Sequence, residues 1–197
     1  RTDAGVHAYG QCANFKIEKS RIEKAGLGRI LVSLNALLPD DIVVKQIKKV
    51  PLEFHARYSA KSREYIYRLT EIKRAIEGDK LLQLKSSFDV KAAKSFCRLI
   101  KGNHSFRSLC KNKEDEHDFR SIVYTCDVKR RKDGIIEFTI SANRFLHSMV
   151  RAIVGAMIKV ASGNLTKEEF ISKFKNGDEI KIQYVPAKAL FLSKVTY

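Results

Sequence analysis

Residues 121–142, SIVYTCDVKRRKDGIIEFTISA, constrain the fold most. Two runs rich in β-branched and aromatic residues flank Asp133–Gly134, and an Asp-Gly step supplies the backbone conformations of a tight turn, so the stretch predicts an antiparallel hairpin. REYIYRLTEI (63–72) predicts another half-buried antiparallel strand, with Tyr65, Tyr67 and Leu69 on one face and Glu64, Ile66 and Arg68 on the other. GQCANFKI (10–17), DIVVKQIKKV (41–50) and KALFLSKV (188–195) are further strand candidates. Helices are expected over 27–39, where Pro39 stops the run, and after the capping residue Asp89, with Ala92, Phe96, Leu99 and Ile100 as the apolar stripe. A longer helix is expected from Arg144 to about Ala161, stopped by Gly163, and another follows Thr166, which stands at capping-box spacing from Glu169. Strands joined through hairpins and helices, without strict βαβ order, predict an α+β fold: an antiparallel sheet with helices on one face.

The 197 residues are 44% hydrophobic, enough for a real core. Lys and Arg number 38 against 22 Asp and Glu, a formal charge of +16 that folding does not require and that points to a polyanionic partner, nucleic acid first. Cys12, Cys97, Cys110 and Cys126 form no C-x-x-C pair and have no His at ligand spacing, so they read as reduced, mostly packed thiols of a cytosolic protein and not as a zinc site or disulfide framework. No apolar run reaches membrane-spanning length, the first residues resemble neither a signal nor a transit peptide, and no phosphate-binding or dinucleotide-binding glycine motif is present. The run KNKEDEHDF around Glu114 reads as a solvated loop.

Individual polar residues have two readings each. Asp3 in RTDAG is either a turn residue that bonds its own backbone or a reactive carboxylate. Tyr65 is either a packed strand aromatic or a site residue. On a helix from 144 onward, Arg144, His147, Ser148, Arg151, Gly155 and Lys159 fall along one stripe, which is either a solvated face or a basic wall lining a cleft. His7, His55, His104 and His147 show no i,i+4 pair and no neighbouring carboxylate suited to a metal site or a triad.

Taken in order, RTDAGVHA (1–8), NALLP (35–39), FHARYSAKSREYIYRL (54–69), FTISANRFLHSMVRAIVG (138–155) and VPAKALFL (185–192) resemble the TruA-type tRNA pseudouridine synthases from the first residue to the last. The resemblance implies two ferredoxin-like halves, here 1–72 and 73–197, whose sheets join and whose basic cleft holds a tRNA anticodon stem-loop. It implies isomerisation of uridine to pseudouridine at tRNA positions 38, 39 and 40, without cofactor or metal, by a cytoplasmic homodimer. Asp3 corresponds to the family's catalytic aspartate, Tyr65 to the tyrosine that stacks on the target base, and Arg151 to the basic partner of the aspartate. Arg1 and Arg57 are matched to substrate-positioning contacts, and His147 is expected to contact substrate.

Val185 and Ala189 depart from the family pattern where Ala and Gly are commoner, as does Ser105 where an acidic residue is commoner. Family members carry a strand, a helix and the start of a second strand before RTDAG, so the chain is expected to be a fragment of a longer enzyme, poorly stable or inactive by itself. The rival readings are a non-catalytic RNA-binding protein that keeps the fold and an interaction or structural protein with no RNA role.

Overall fold

A computed structural model describes residues 2–111, 114 and 116–197; Asn112, Lys113 and Asp115 of the expected acidic loop lie outside the described residues, as does Arg1. The chain separates into two compact units, one formed by Arg1–Gln11 with Ala60–Tyr197 and the other by Cys12–Ser59.

The larger unit is built on one open seven-stranded sheet. Its strands are β1 (His7–Ala8), β2 (Ser62–Thr70), β3 (Leu82–Gln83), β4 (Gly102–Ser105), β5 (Arg120–Arg130), β6 (Ile136–Ala142) and β7 (Leu190–Thr196). They lie in the order β1-β7-β2-β6-β5-β4, with β3 also paired to β2. The hairpin expected at 121–142 is β5–β6, closed by Gly134 at φ +82 and by Asp133, whose carboxylate accepts from the Ile135 amide at 3.1 Å. β2 is the expected strand, antiparallel to both β6 and β7, with Tyr67 and Leu69 wholly buried opposite Phe138 and Ile136. Ladders β1–β7 and β2–β3 are parallel and the others antiparallel, which gives an α+β architecture.

Three helices of this unit follow the sequence signals closely. Asp89 caps α3 (Val90–Ile100) by accepting from the amides of Lys91 and Ala92. Its buried stripe is Ala93, Phe96, Cys97 and Ile100, rotated by one position from the expected one, which leaves Ala92 and Leu99 half-buried. Helix α5 (Lys167–Asn176) starts at Thr166, whose hydroxyl accepts from the Glu169 amide at 3.1 Å. Helix α4 (Met149–Ala161) ends where expected, before Gly163 at φ +74. Its start differs: residues 144–147 are not helical, and Ser148 sits at φ +56, a left-handed conformation in which the α-helix cannot continue toward the N-terminus. The core joins Phe96, Ile100, Ile153, Met157 and Phe170 to the sheet residues Tyr67, Phe138 and Ile140.

Because the helix begins late, the expected stripe from Arg144 to Lys159 does not exist as one surface. Arg144 is paired with Glu116 at 2.9 Å, in the loop ahead of the helix. Of the other five members, Arg151, Gly155 and Lys159 face residues 181–185. Arg151 Nε donates to the Val185 carbonyl at 2.7 Å, Lys159 Nζ donates to the Lys181 carbonyl at 2.6 Å, and between them Gly155 faces the Gln183 carbonyl. Four helical residues rise about 6 Å and two extended residues about 6.6 Å, so positions 151, 155 and 159 keep step with 185, 183 and 181. The second half of the stripe, from Arg151 to Lys159, is a packing seam.

The smaller unit holds α1 (Lys19–Ala25) and α2 (Leu27–Leu37), the latter ending before Pro39 as expected. Residues 10–17 and 41–50 are not strands, contrary to their alternation. A strand exists through a neighbouring ladder, and among the described residues neither segment has one. Side-chain amides make the connections instead: Asn35 brackets the Val44 backbone with bonds of 2.7 and 3.0 Å, and Asn14 reaches out of its own segment to the Ala56 amide and the Phe54 carbonyl at 2.8 and 3.3 Å. Phe15, Ile42 and Val43 remain exposed, and no residue of 12–59 is fully buried.

The seam makes Gly155 sensitive. A Cβ there would overlap the Gln183 carbonyl oxygen, a backbone atom that yields only if the 181–185 segment moves. Gly155→Ala is expected to cost about 1–3 kcal/mol through overpacking, against a gain of about 1 kcal/mol in helix propensity. Urea denaturation of the intact protein, showing a lowered midpoint, checks this.

Candidate active site

Asp3 begins a turn in which its carbonyl accepts from the Val6 amide at 3.2 Å. The third turn residue, Gly5, has φ +77, which a side chain would strain, and its Cα faces the Ala187 methyl. The chain then enters β1, pairing His7 with Phe191 and Ala8 with Leu192. The His7 and Tyr9 rings stack on Phe191 at 5.0 and 5.3 Å, and the Arg68 guanidinium lies 4.7 Å from the same ring. These contacts tie the first residues to the middle of the sheet.

The carboxylate of Asp3 meets the start of α4. Ser148 Oγ donates to Asp3 Oδ2 at 3.0 Å, and Arg151 Nη1 lies 3.5 Å from the same oxygen. The second distance is an ion pair, longer than a charge-assisted hydrogen bond, so the directional bond comes from Ser148. The N-terminus of α4 adds its own positive potential, worth about 0.3–1 kcal/mol to an anion. Arg151 is oriented by the Val185 carbonyl, and Val185 is buried. The other oxygen, Oδ1, has His147 Nε2 at 4.0 Å, beyond hydrogen-bonding range.

Tyr65 stands on β2, on the same face as buried Tyr67, with Phe145 edge-on at 5.2 Å between ring centroids. Burial first, and the negative charge of Asp3 second, push its hydroxyl up to about 12, with Arg63 opposing. At neutral pH the phenol is protonated, so its hydroxyl is available as a hydrogen-bond donor. Arg63 donates from Nη1 to the Asn143 carbonyl at 2.7 Å and to the Ala60 carbonyl at 2.9 Å. The structure thus gathers Asp3, His147, Ser148 and Arg151, with Tyr65 in electrostatic reach of Asp3. Arg57 belongs to the smaller unit, in a turn where the Ser59 amide bonds the His55 carbonyl and the Arg57 guanidinium lies 5.2 Å from the Tyr58 ring. Arg1 lies outside the described residues.

Sequence reasoning passed over Ser148, grouping it with a basic stripe. A serine directly before an apolar helix is the usual N-cap signal, yet here its hydroxyl makes no cap bond and is turned to Asp3. Its left-handed backbone costs on the order of 1–3 kcal/mol, a strain of the kind held at sites where a side chain must be aimed. Among the described residues, no three His, Cys, Asp or Glu side chains gather as a metal site would need, and no helix is long and apolar enough to cross a membrane.

The raised Tyr65 hydroxyl has a consequence for alkaline stability. Below the ordinary phenol value of 10.0 both folded and unfolded chains hold the proton; above it the unfolded chain releases a proton that the folded chain keeps until about 12. Stability is expected to fall as pH rises from about 10 to about 12. Burial raises Tyr67 too, so Tyr65→Phe flattens this loss without abolishing it, as urea midpoints measured from neutral to alkaline pH would show.

Comparison with known proteins places the chain in a family. The profile of the tRNA pseudouridine synthase family matches residues 96–197, a stretch that includes Ser148 and Arg151. A tRNA pseudouridine synthase A of Geobacillus sp. (strain WCH70) is 36% identical over 207 residues, an alignment covering 100% of this chain and 79% of that protein. The same-named protein of Chlorobium luteolum is 38% identical over 202 residues, covering 100% and 76%, and that of Chlorobaculum tepidum 37% over 198 residues, covering 100% and 78%. The chain belongs to the tRNA pseudouridine synthases, a family of isomerases.

Proposed function

We propose that this protein isomerises uridine to pseudouridine at positions 38, 39 and 40 of the tRNA anticodon stem-loop. The observation that carries the reading is the Asp3 carboxylate, held on one oxygen by Ser148 and Arg151 while the other oxygen makes no hydrogen bond to His147. Isomerisation breaks the bond between N1 and C1′, turns the uracil, and joins C5 to C1′; C5 gives up a proton and N1 gains one, so composition and redox state are unchanged. An ionised carboxylate serves this either as a nucleophile at C1′ or as a base on the sugar. Arg151 sets its direction and balances its charge.

The target base must leave its stack, at a cost of a few kcal/mol, and an aromatic surface returns about 1–3 kcal/mol per base. Tyr65 is that surface in this reading, with Phe145 bracing it edge-on. Arg1, Arg57 and His147 serve as contacts to the nucleotide and its backbone. The same reading divides the chain into ferredoxin-like halves at 1–72 and 73–197 with a basic cleft for the stem-loop, and makes the protein a cytoplasmic homodimer. The +16 charge supports a polyanionic substrate.

Asp3→Asn in the intact protein is expected to lower pseudouridine formation by about 10²–10⁴-fold while tRNA binding persists. Release of tritium from tRNA labelled at uridine C5 measures the first, and filter binding the second. Equal turnover by both proteins would remove Asp3 from the mechanism. Binding is also expected to weaken linearly on a log–log plot against salt, as counterion release requires; a flat plot would argue against contact with the phosphate backbone.

A further inference from the structure

The geometry points to Ser148 as a positioning residue that holds Asp3 by Oδ2 and so leaves Oδ1 as the oxygen offered to the nucleotide, an inference that rests on the assignment of Asp3 above. Three observations converge on it. Ser148 Oγ hydrogen-bonds the carboxylate at 3.0 Å to Oδ2, while Arg151 stands off at 3.5 Å and is itself turned to the Val185 carbonyl. Ser148 is 7% exposed, so water does not readily replace its hydroxyl. Its backbone is held left-handed at φ +56, where glycine or asparagine would sit with less strain, although the residue performs no capping. Serine in a strained place, without a local bond to explain it, is accounted for by the bond to Asp3.

A carboxylate with both oxygens free samples rotations about its Cβ–Cγ bond. With Oδ2 engaged by Ser148 and faced by Arg151, the plane of the group is set. Oδ1, with exposed His147 Nε2 at 4.0 Å, is the oxygen that Ser148 and Arg151 leave unengaged. Ser148 then raises the share of bound complexes in which the reacting oxygen is aligned, which is an effect on turnover and not on substrate affinity.

Ser148→Gly suits the backbone and lacks the hydroxyl; Ser148→Asn tolerates the same backbone and restores a donor. On tRNA labelled at uridine C5, the intact Ser148→Gly protein is expected to lose about 10- to 100-fold in kcat, the worth of one hydrogen bond to a charged group, with KM within about twofold. Its Tm is expected to hold or rise, and Ser148→Asn is expected to recover most of the lost kcat. Wild-type kcat in Ser148→Gly, a loss carried by KM alone, or an asparagine variant no faster than the glycine one would overturn the positioning role. Asp3→Asn measured alongside separates the two claims. If it is inactive while Ser148→Gly is normal, only the role of Ser148 falls; if it turns over normally, both fall.

Discussion

Two residue pairs, His7 with Phe191 and Ala8 with Leu192, decide where the first residues of the chain go. A short parallel ladder is weak by itself, but this one is reinforced by rings: His7 and Tyr9 stack on Phe191, and Arg68 of the neighbouring strand lies against the same ring. Because β7 lies between β1 and the central β2, the ladder brings the Asp3 turn to the side of the sheet that faces α4.

The residues just before β7 complete the arrangement from the other side. Val185 receives Arg151 Nε on its carbonyl, Pro186 receives the Tyr67 hydroxyl at 2.9 Å, and the Ala187 methyl backs Gly5. One stretch of three residues therefore touches the helix that carries Arg151, the strand that carries Tyr65, and the turn that carries Asp3. The departure at Val185 leaves these links intact, since the contact to Arg151 runs through backbone and the side chain is buried. The seam between α4 and 181–185 extends the same support, and its regularity follows from the near match between one helical turn and two extended residues.

Signals that act within a few residues were legible. Asp133–Gly134 made the hairpin, Asp89 and Thr166 made helix starts, and Pro39 and Gly163 made helix ends, because each supplies a conformation or a hydrogen bond to its own neighbours. Signals that need a distant partner were not. Residues 10–17 and 41–50 alternate like strands yet have no ladder among the described residues, and alternation carries no information about whether a neighbour exists. The helix expected from Arg144 begins only at Met149: apolar spacing continues through Phe145 and Leu146, but Ser148 sits at φ +56 with its hydroxyl bonded to Asp3, far outside the segment.

For the site, the sequence by itself determined the residue types: a carboxylate in RTDAG, a tyrosine on an alternating strand, and an arginine in an apolar helix, in an order that resembles one family along the whole chain. Only the tertiary structure decided how they meet. It selected one oxygen of Asp3 for Ser148 and Arg151, gave Arg151 its direction through a backbone carbonyl 34 residues away, and packed Gly155 and Lys159 of the expected stripe against residues 181–185. Hydrogen-bond direction and burial depend on atoms brought together from separate segments, and no local pattern in the chain encodes them.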